Sequence, residues 1–419
     1  MRFLYSLALY LLSPFIWWRV WREWLPTHSR WERLGRVPYE TAPVIWVHAA
    51  SVGEVMTARP LVQALETRYP AHKIVMTTMT ATGANQVASL FEGRICHHFL
   101  PLDFPGAAKR FVRRVRPALA IVIETELWPN LLAECQHHDV PLALVNGRLS
   151  ANALQRYQRI RPLMRDTLAH FDWLGIKDRT DLERFKALDG PVSRMEVTGG
   201  LKFDLRYNGA LEKVSEDILF QCDGRFIWVA ASTHEGEDAA LIDAHARLRE
   251  RYPGALMILV PRHPQRFDAV AQLIEDSGQC LARRSRGDGI TSRVSVYLGD
   301  TMGELMGFYA VASVAFVGGS LVPVGGHNLL EPAALAVPVV TGPHLENFSD
   351  IADLLDADDA LVRVSTTGEL VDALAEAATA PEQARARGRR GLMVVERHRG
   401  ALEATLNGLE RLLPGGVSG

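Results

Sequence analysis

Short apolar runs rich in Val and Ile alternate along this chain with helical patterns of about ten to fifteen residues, and that alternation leaves few folds open. In the first half the runs are VIWVHAAS (44–51), KIVMTTMT (73–80), HHFLPLD (97–103), ALAIVIETE (118–126), PLALVNGRLS (141–150) and MEVTGG (195–200). They read as strands buried on both faces, the pattern of a parallel sheet covered by helices. Between 203 and 225 the pattern lapses into FDLRYNGALEKVSEDILFQCDGR, a polar linker containing a helix. It restarts with FIWVAAST (226–233), ALMILVPRH (255–263), VSVYLGD (294–300), VAFVGGS (314–320), PVVTGPH (338–344) and ALVRVS (360–365). Two successive doubly wound α/β domains follow, and 419 residues suit two cores of about 150 to 200 residues better than one.

The N-terminus departs from the soluble pattern. Residues 3–18, FLYSLALYLLSPFIWW, carry no charge and are followed by Arg19, Arg22 and further arginines through Arg36. As one helix they reach about 24 Å, short of a hydrocarbon core of about 30 Å. The tryptophans Trp17, Trp18, Trp21 and Trp24, interleaved with arginines, suit a membrane interface, and the bulky flank lacks the small residues of a cleaved signal peptide. The expectation is an anchor over 1–24 that spans the bilayer or lies in its surface; a terminal helix packed on the protein's own core is the alternative. A net charge of -2 provides no global field for nucleic acid. Cys96, Cys135, Cys222 and Cys280 form no CxxC or zinc-ligand spacing, which fits free thiols in a reducing compartment.

Ligands of open parallel sheets sit beyond the carboxyl ends of the strands, here expected in a cleft between two facing sheets. In GGSLVPVGGHNLLEP a strand ends at Gly318-Gly319, and a helix is expected to open between Asn328 and Pro332, its free N–H groups facing a phosphate. Glu331 at the same place suits ribose hydroxyls, or else Asn328 and Glu331 only cap the helix. Arg262 and His263 in VPRHP add positive charge, and Gly303 in DTMGEL marks a second helix start. His234 in STHEGE reads either as a ligand contact or as a structural histidine. The absence of GxxxxGK[ST] and GxGxxG argues against nucleoside triphosphate hydrolysis and dinucleotide redox chemistry. The first half supplies carboxylates at strand ends, Glu54 in HAASVGE and Glu124 and Glu126 in IETELWPN, with Lys202 in GGLKFD near the linker. Without a Cys/His cluster or D-x-D pair, they point to proton transfer rather than metal chemistry. Each also has a plain structural reading: a dipole partner, an arginine partner, a solvated lysine. The basic run KRFVRRVRP reads as a solvated helix face or as a surface for anionic lipid.

Taken in order, HAASVGE, TTMTATG, IETELWPN, NGRLS, GGLKFD, STHEGE, VPRHP, GDTMGEL and GGSLVPVGGHNLLEPAA resemble the bacterial 3-deoxy-D-manno-octulosonic acid (Kdo) transferases, from the WERLG segment to about residue 350. The resemblance implies a GT-B fold: two Rossmann-like domains facing across a cleft, with an N-terminal membrane-anchoring helix. It divides the chain into an anchor (1–24), an acceptor-binding domain (25–205), a linker (206–225) and a donor-binding domain (226–419). It further implies an inverting, metal-independent transfer of Kdo from CMP-Kdo to the lipid A precursor lipid IVA, with no cofactor and no nucleic acid, at the cytoplasmic side of the bacterial inner membrane. By the same resemblance Glu54 is the general base, and Glu124 and Lys202 stabilise the transition state. Pro261, Arg262, Met302, Gly303, Glu304, Asn328, Leu329, Leu330 and Glu331 line the CMP pocket. A nucleotide-sugar epimerase of the same architecture, or a non-catalytic membrane-attached nucleotide-sugar binding protein, are the alternatives, because fold alone does not separate them.

Overall fold

The computed structural model describes residues 1–22, 29–204, 210–222 and 224–415. The chain forms two compact units, one of Met1–Asp204 with Arg399–Gly419 and the other of Leu205–His398. In the first, β1 (Val44–His48), β2 (Lys73–Thr78), β3 (Cys96–Phe99), β4 (Pro117–Ile123), β5 (Leu142–Gly147), β6 (Trp173–Ile176) and β7 (Met195–Val197) form a sheet in the order β3-β2-β1-β4-β5-β6-β7. In the second, β8 (Ile227–Thr233), β9 (Leu256–Pro261), β10 (Leu281–Arg283), β11 (Val296–Leu298), β12 (Val314–Val317), β13 (Val339–Thr341) and β14 (Leu361–Arg363) run in the order β10-β11-β9-β8-β12-β13-β14. Every pairing is parallel. Each sheet therefore reverses its winding once, between β1 and β4 and between β8 and β12, and leaves a crevice at those carboxyl ends.

The central strands are buried along almost their whole length, as the Val/Ile runs require. Trp46 of β1 packs edge-on against Phe111, with ring centroids 5.1 Å apart, and its Nε1 donates to Thr77 Oγ1 at 2.9 Å. Burying a side chain of this size contributes about 1.5–3 kcal/mol, and the satisfied indole N–H removes the polar cost. The helix Pro105–Val115, which carries KRFVRRVRP, buries Ala108, Phe111 and Val115; its Arg110 and Arg114 donate to the carbonyls of Leu34 and Val37. Two of its cations thus hold the entry segment, while Lys109 and Arg113 remain exposed.

Several expectations require correction. The linker assigned to 206–225 holds the expected helix, Ala210–Cys222, but its Val214, Ile218 and Cys222 belong to the second unit's core; residues 205–209 and 223 lie outside the described residues. The stretch 399–419, grouped with the second domain by position alone, belongs to the first unit. There Asp204 accepts from the N–H groups of Gly400 and Leu402 and caps the helix Ala401–Glu410, which buries Leu402, Leu406 and Leu409 in the first core. The N-terminal segment is two helices, Arg2–Leu11 and Ser13–Arg22, bent by 60°, and Trp24 lies outside the described residues. Among the described residues no single helix is long and apolar enough to cross a membrane, although the bent pair passes by length and composition. Its first helix leans on the first unit through Ser6 Oγ, which donates to Asn130 Oδ1 at 3.1 Å, and through Tyr10 against Phe104.

Candidate active site

In the first unit β1 ends at His48, and the small residues Ala49 and Ala50 lead to Ser51, the N-cap of the helix Val52–Arg68. Ser51 and Glu54 form a capping box: Ser51 N–H donates to Glu54 Oε2 at 2.9 Å, and Glu54 N–H donates to Ser51 Oγ at 3.4 Å. The plain reading of Glu54 as a helix-terminus partner is therefore correct as far as it goes. The same contact fixes its carboxylate at the point where the sheet reverses. Burial, then Glu126, then Glu124 push the Glu54 carboxyl up to about 8, against the pull of the Ser51 and Ala50 N–H groups.

Glu124 follows β4 with φ 62°, a left-handed conformation costly for a residue with a Cβ, and its N–H donates to the carbonyl of Val145 at 2.9 Å. Glu126 accepts from Trp128 Nε1 at 3.0 Å and faces His48 Nε2 at 3.6 Å. Lys202 lies in the turn Leu201–Phe203, held to the end of β5 by Leu201 N–H donating to Asn146 Oδ1 at 3.2 Å. That turn packs against the helix carrying Glu54. The ends of β1, β4 and β5 thus gather Glu54, Glu124, Glu126 and Lys202.

In the second unit the groups named from sequence follow three strands of one sheet. Pro261 ends β9 and Arg262 follows it; Met302, Gly303 and Glu304 follow β11; Asn328, Leu329, Leu330 and Glu331 follow β12. All lie beyond carboxyl ends. Arg262 is exposed, and its N–H donates to the Thr233 carbonyl at 3.1 Å. Met302 is exposed and Gly303 has φ 83°. Glu304 is already engaged: Arg284 Nη2 donates to it at 2.7 Å, Thr301 Oγ1 also donates to it, and Arg284 holds its carboxyl below the usual range.

The helix expected to open at 328–332 is a single turn, Leu330–Ala333, too short to present a dipole end. Asn328 Oδ1 already accepts from Leu330 N–H, and its Nδ2 donates to Glu331 Oε1 at 3.2 Å, which is the capping alternative. Leu329 and Leu330 are wholly buried, so their side chains serve the core.

Two features escaped the sequence reading. Glu237, wholly buried, accepts from the N–H groups of His234, Gly319, Ser320 and Leu321 at 2.8–2.9 Å, so the loop after β12 is organised by an internal carboxylate. A Cβ at Gly318 would meet Glu237 Oε2 at 2.9 Å and Ser232 O at 2.8 Å, which explains the glycine there. His327 is the second: its Nε2 lies 2.8 Å from His234 Nε2 with the rings stacked, and His263 meets His234 edge-on. Burial foremost, then His234 and Arg262, push His327 down to about 4; His234 and His263 are lowered too, so the three rings are neutral at pH 7. His234 and His327 stand 93 residues apart in sequence, so no local pattern signals that they meet.

Among the described residues, one cluster has metal-ligand chemistry, Glu40, Cys96 and His98, where the sequence reading saw none. Lys73 Nζ sits 2.8 Å from both Glu40 oxygens and Glu32 faces His98 at 3.3 Å, so protein partners already occupy it.

Two doubly wound domains with these strand-end sites make the GT-B fold, shared with solved structures. The likeness to the UDP-GlcNAc 2-epimerase of Neisseria meningitidis bears on the fold only: TM-score 0.56 at 15% identity, over 88% of this chain and all of that one. Residues 28–205 match the family described as 3-deoxy-D-manno-octulosonic-acid transferase (kdotransferase). The 3-deoxy-D-manno-octulosonic acid transferase of Haemophilus influenzae is 40% identical over 88% of this chain and 87% of its own length. That of Bordetella pertussis is 38% identical over 98% and 99%. The chain belongs to the Kdo transferase family.

Proposed function

We propose that this chain transfers Kdo from CMP-Kdo to lipid IVA with inversion at the anomeric carbon, using Glu54 as general base and no metal ion. One observation carries the reading: a carboxylate anchored by its own helix cap at the sheet's reversal point, with its pKa raised to about 8. Such a group is basic enough to take a proton from an alcohol near neutral pH. Glu54 would remove the proton of a primary hydroxyl of the acceptor sugar as that oxygen bonds to the anomeric carbon. The bond from that carbon to the phosphate oxygen breaks on the opposite face, and CMP leaves with the electron pair. Lys202 and Glu124 would balance the charge that develops, the lysine against the departing phosphate and the carboxylate against the cationic anomeric centre.

In this reading Arg262 supplies the cation for the donor phosphate, with Pro261, Met302, Gly303, Glu304, Asn328 and Glu331 around the nucleotide and Leu329 and Leu330 contributing only backbone. The amphiphilic acceptor suits the N-terminal helix pair, which exposes Phe3, Leu7, Leu11, Phe15, Trp18 and Trp21 beside Arg19 and Arg22. This fits attachment at the cytoplasmic side of the bacterial inner membrane.

The test is transfer to a tetra-acylated lipid A precursor with CMP-Kdo generated in the assay and EDTA present. Wild type should form product, and Glu54→Gln should lose about 10²–10⁴ in rate while keeping CMP-Kdo binding. Full turnover by Glu54→Gln removes the base from its role. Loss of wild-type product on adding EDTA removes metal independence.

A further inference from the structure

Glu54 follows the carboxyl end of β1; a second polar cluster of the first unit gathers toward the amino ends of the same strands. Cys96 opens β3, Lys73 opens β2, and Glu40 lies on the segment that enters β1. Cys96 and His98 stand two residues apart on one strand, so both project from the same face. A carboxylate oxygen of Glu40, Cys96 Sγ and a ring nitrogen of His98 all lie within 4.8 Å of one another. His98 Nε2 is 3.5 Å from Cys96 Sγ. A tetrahedral zinc ion, with bonds of about 2.3 Å to sulfur and about 2.0–2.1 Å to nitrogen, separates those two atoms by about 3.6 Å. Sulfur and nitrogen therefore already stand at the spacing that a shared ion requires.

The surroundings fit the same reading. His98 turns its other nitrogen, Nδ1, to Glu32 Oε1 at 3.3 Å, and Glu32 Oε2 accepts from the Phe99 N–H at 2.8 Å. A carboxylate behind the imidazole is the usual means of orienting a metal-bound histidine. Glu40 is fixed through its backbone, its N–H donating to the Arg114 carbonyl at 2.9 Å. The side chains of Glu40 and His98 are each 9% exposed. Lys73, which pairs with Glu40 and also feels Cys96, is the cation in competition. Its side chain is 41% exposed and can swing into water, giving up a weak surface pair. Burial works to lower the His98 pKa, but Cys96 and Glu32 raise it to about 9, so at pH 7 an ion displaces a proton from the ring.

We propose that Glu40, Cys96 and His98 bind one zinc-class divalent ion, with water as fourth ligand, and that this ion staples the entry segment to β3. Thiolate, imidazole and carboxylate together suit zinc over magnesium or calcium, which take oxygen ligands. The staple has a mechanical use: β3 is four residues long, lies at the edge of its sheet and pairs with β2 alone. The ion has no part in the transfer proposed above, whose carboxylates follow the carboxyl ends of the strands.

The experiment titrates cobalt(II) into the full chain in detergent, stripped of metal with EDTA and then freed of chelator. One equivalent should produce thiolate-to-cobalt charge-transfer absorption in the near ultraviolet, and zinc should abolish it. Cys96→Ser should lose the band yet transfer Kdo at the wild-type rate in EDTA. Cys280 is exposed, so a band that survives Cys96→Ser belongs to another thiol and overturns the site. Glu32→Gln keeps the thiol and an oxygen for the Phe99 N–H, and should weaken cobalt about 10–100-fold. Lys73→Ala should tighten it roughly two- to fivefold. These two variants retain the test if Cys96→Ser does not fold. Affinity should also rise about tenfold per unit between about pH 6 and 8, as the His98 proton becomes easier to displace. Absence of the band, a flat pH profile, or an affinity that neither Glu32→Gln nor Lys73→Ala moves overturns the proposal. The cobalt readout bears on this site alone, and Glu54→Gln on the transfer reaction alone, so the two ideas fail separately.

Discussion

At the scale of single residues, Glu54 is both a helix cap and the candidate base, and the two roles conflict energetically. Its carboxyl is raised from 4.5 to about 8 in the folded chain, so the contribution it makes to stability is fully present below pH 4.5 and is lost as pH rises through about 8. Glu54→Gln, which cannot ionise, should therefore melt roughly 2–4 °C above wild type at pH 9, with the gain shrinking toward pH 5, as calorimetry of both proteins would show. Equal melting points at pH 9 would mean that the site tolerates the charge. Glu237 is a different case, a buried carboxyl that accepts hydrogen bonds from four N–H groups. Glu237→Ala orphans buried donors and should destabilise the second unit by about 3–5 kcal/mol, visible as a separate early unfolding transition. The strand-end placement of Glu54 and Glu124 was legible because each follows an apolar run. Glu237 and His327 were not, since their partners lie more than eighty residues away in sequence.

Elements were legible where an apolar run stood clear of its neighbours. Most strands found from sequence carry apolar runs, although β7, MEV, is an edge strand and not buried on both faces as expected, whereas β6, WLGI, and β10, LAR, fell below what periodicity can resolve against neighbouring helices. The turn Leu330–Ala333 shows the reverse error: a proline and a capping asparagine announce a helix start, yet nothing in them says how soon it stops. The segment that forms the helix Ala401–Glu410 falls by sequence order within the donor-binding domain of 226–419, because alternation carries no information about which sheet a helix covers. Asp204 caps this helix from the first unit, and Asp204→Ala should cost about 1 kcal/mol, lowering the first unit's melting point by a few degrees and leaving the second unit's unchanged. A shift in the second transition instead would assign the helix to the wrong unit.

For the molecule as a whole, the order of nine motifs carried the family, while the winding of each sheet carried the position of each site. What the pattern could not give was the path of the chain between the units, or the bend in the N-terminal helix pair. If that pair attaches the enzyme to lipid, replacing Phe3, Leu7 and Leu11 with serine should release it from anionic vesicles in a flotation assay without abolishing CMP-Kdo binding; undiminished flotation would place the attachment elsewhere. The doubled crossing between units also has a consequence in time. The first unit waits for a helix that leaves the ribosome only after the entire second unit, roughly 190 residues later. At about 5–20 residues per second that is a delay of ten to forty seconds. Throughout it the face meant for Leu402, Leu406 and Leu409 stays uncovered, so the half that holds the candidate base is begun first and finished last.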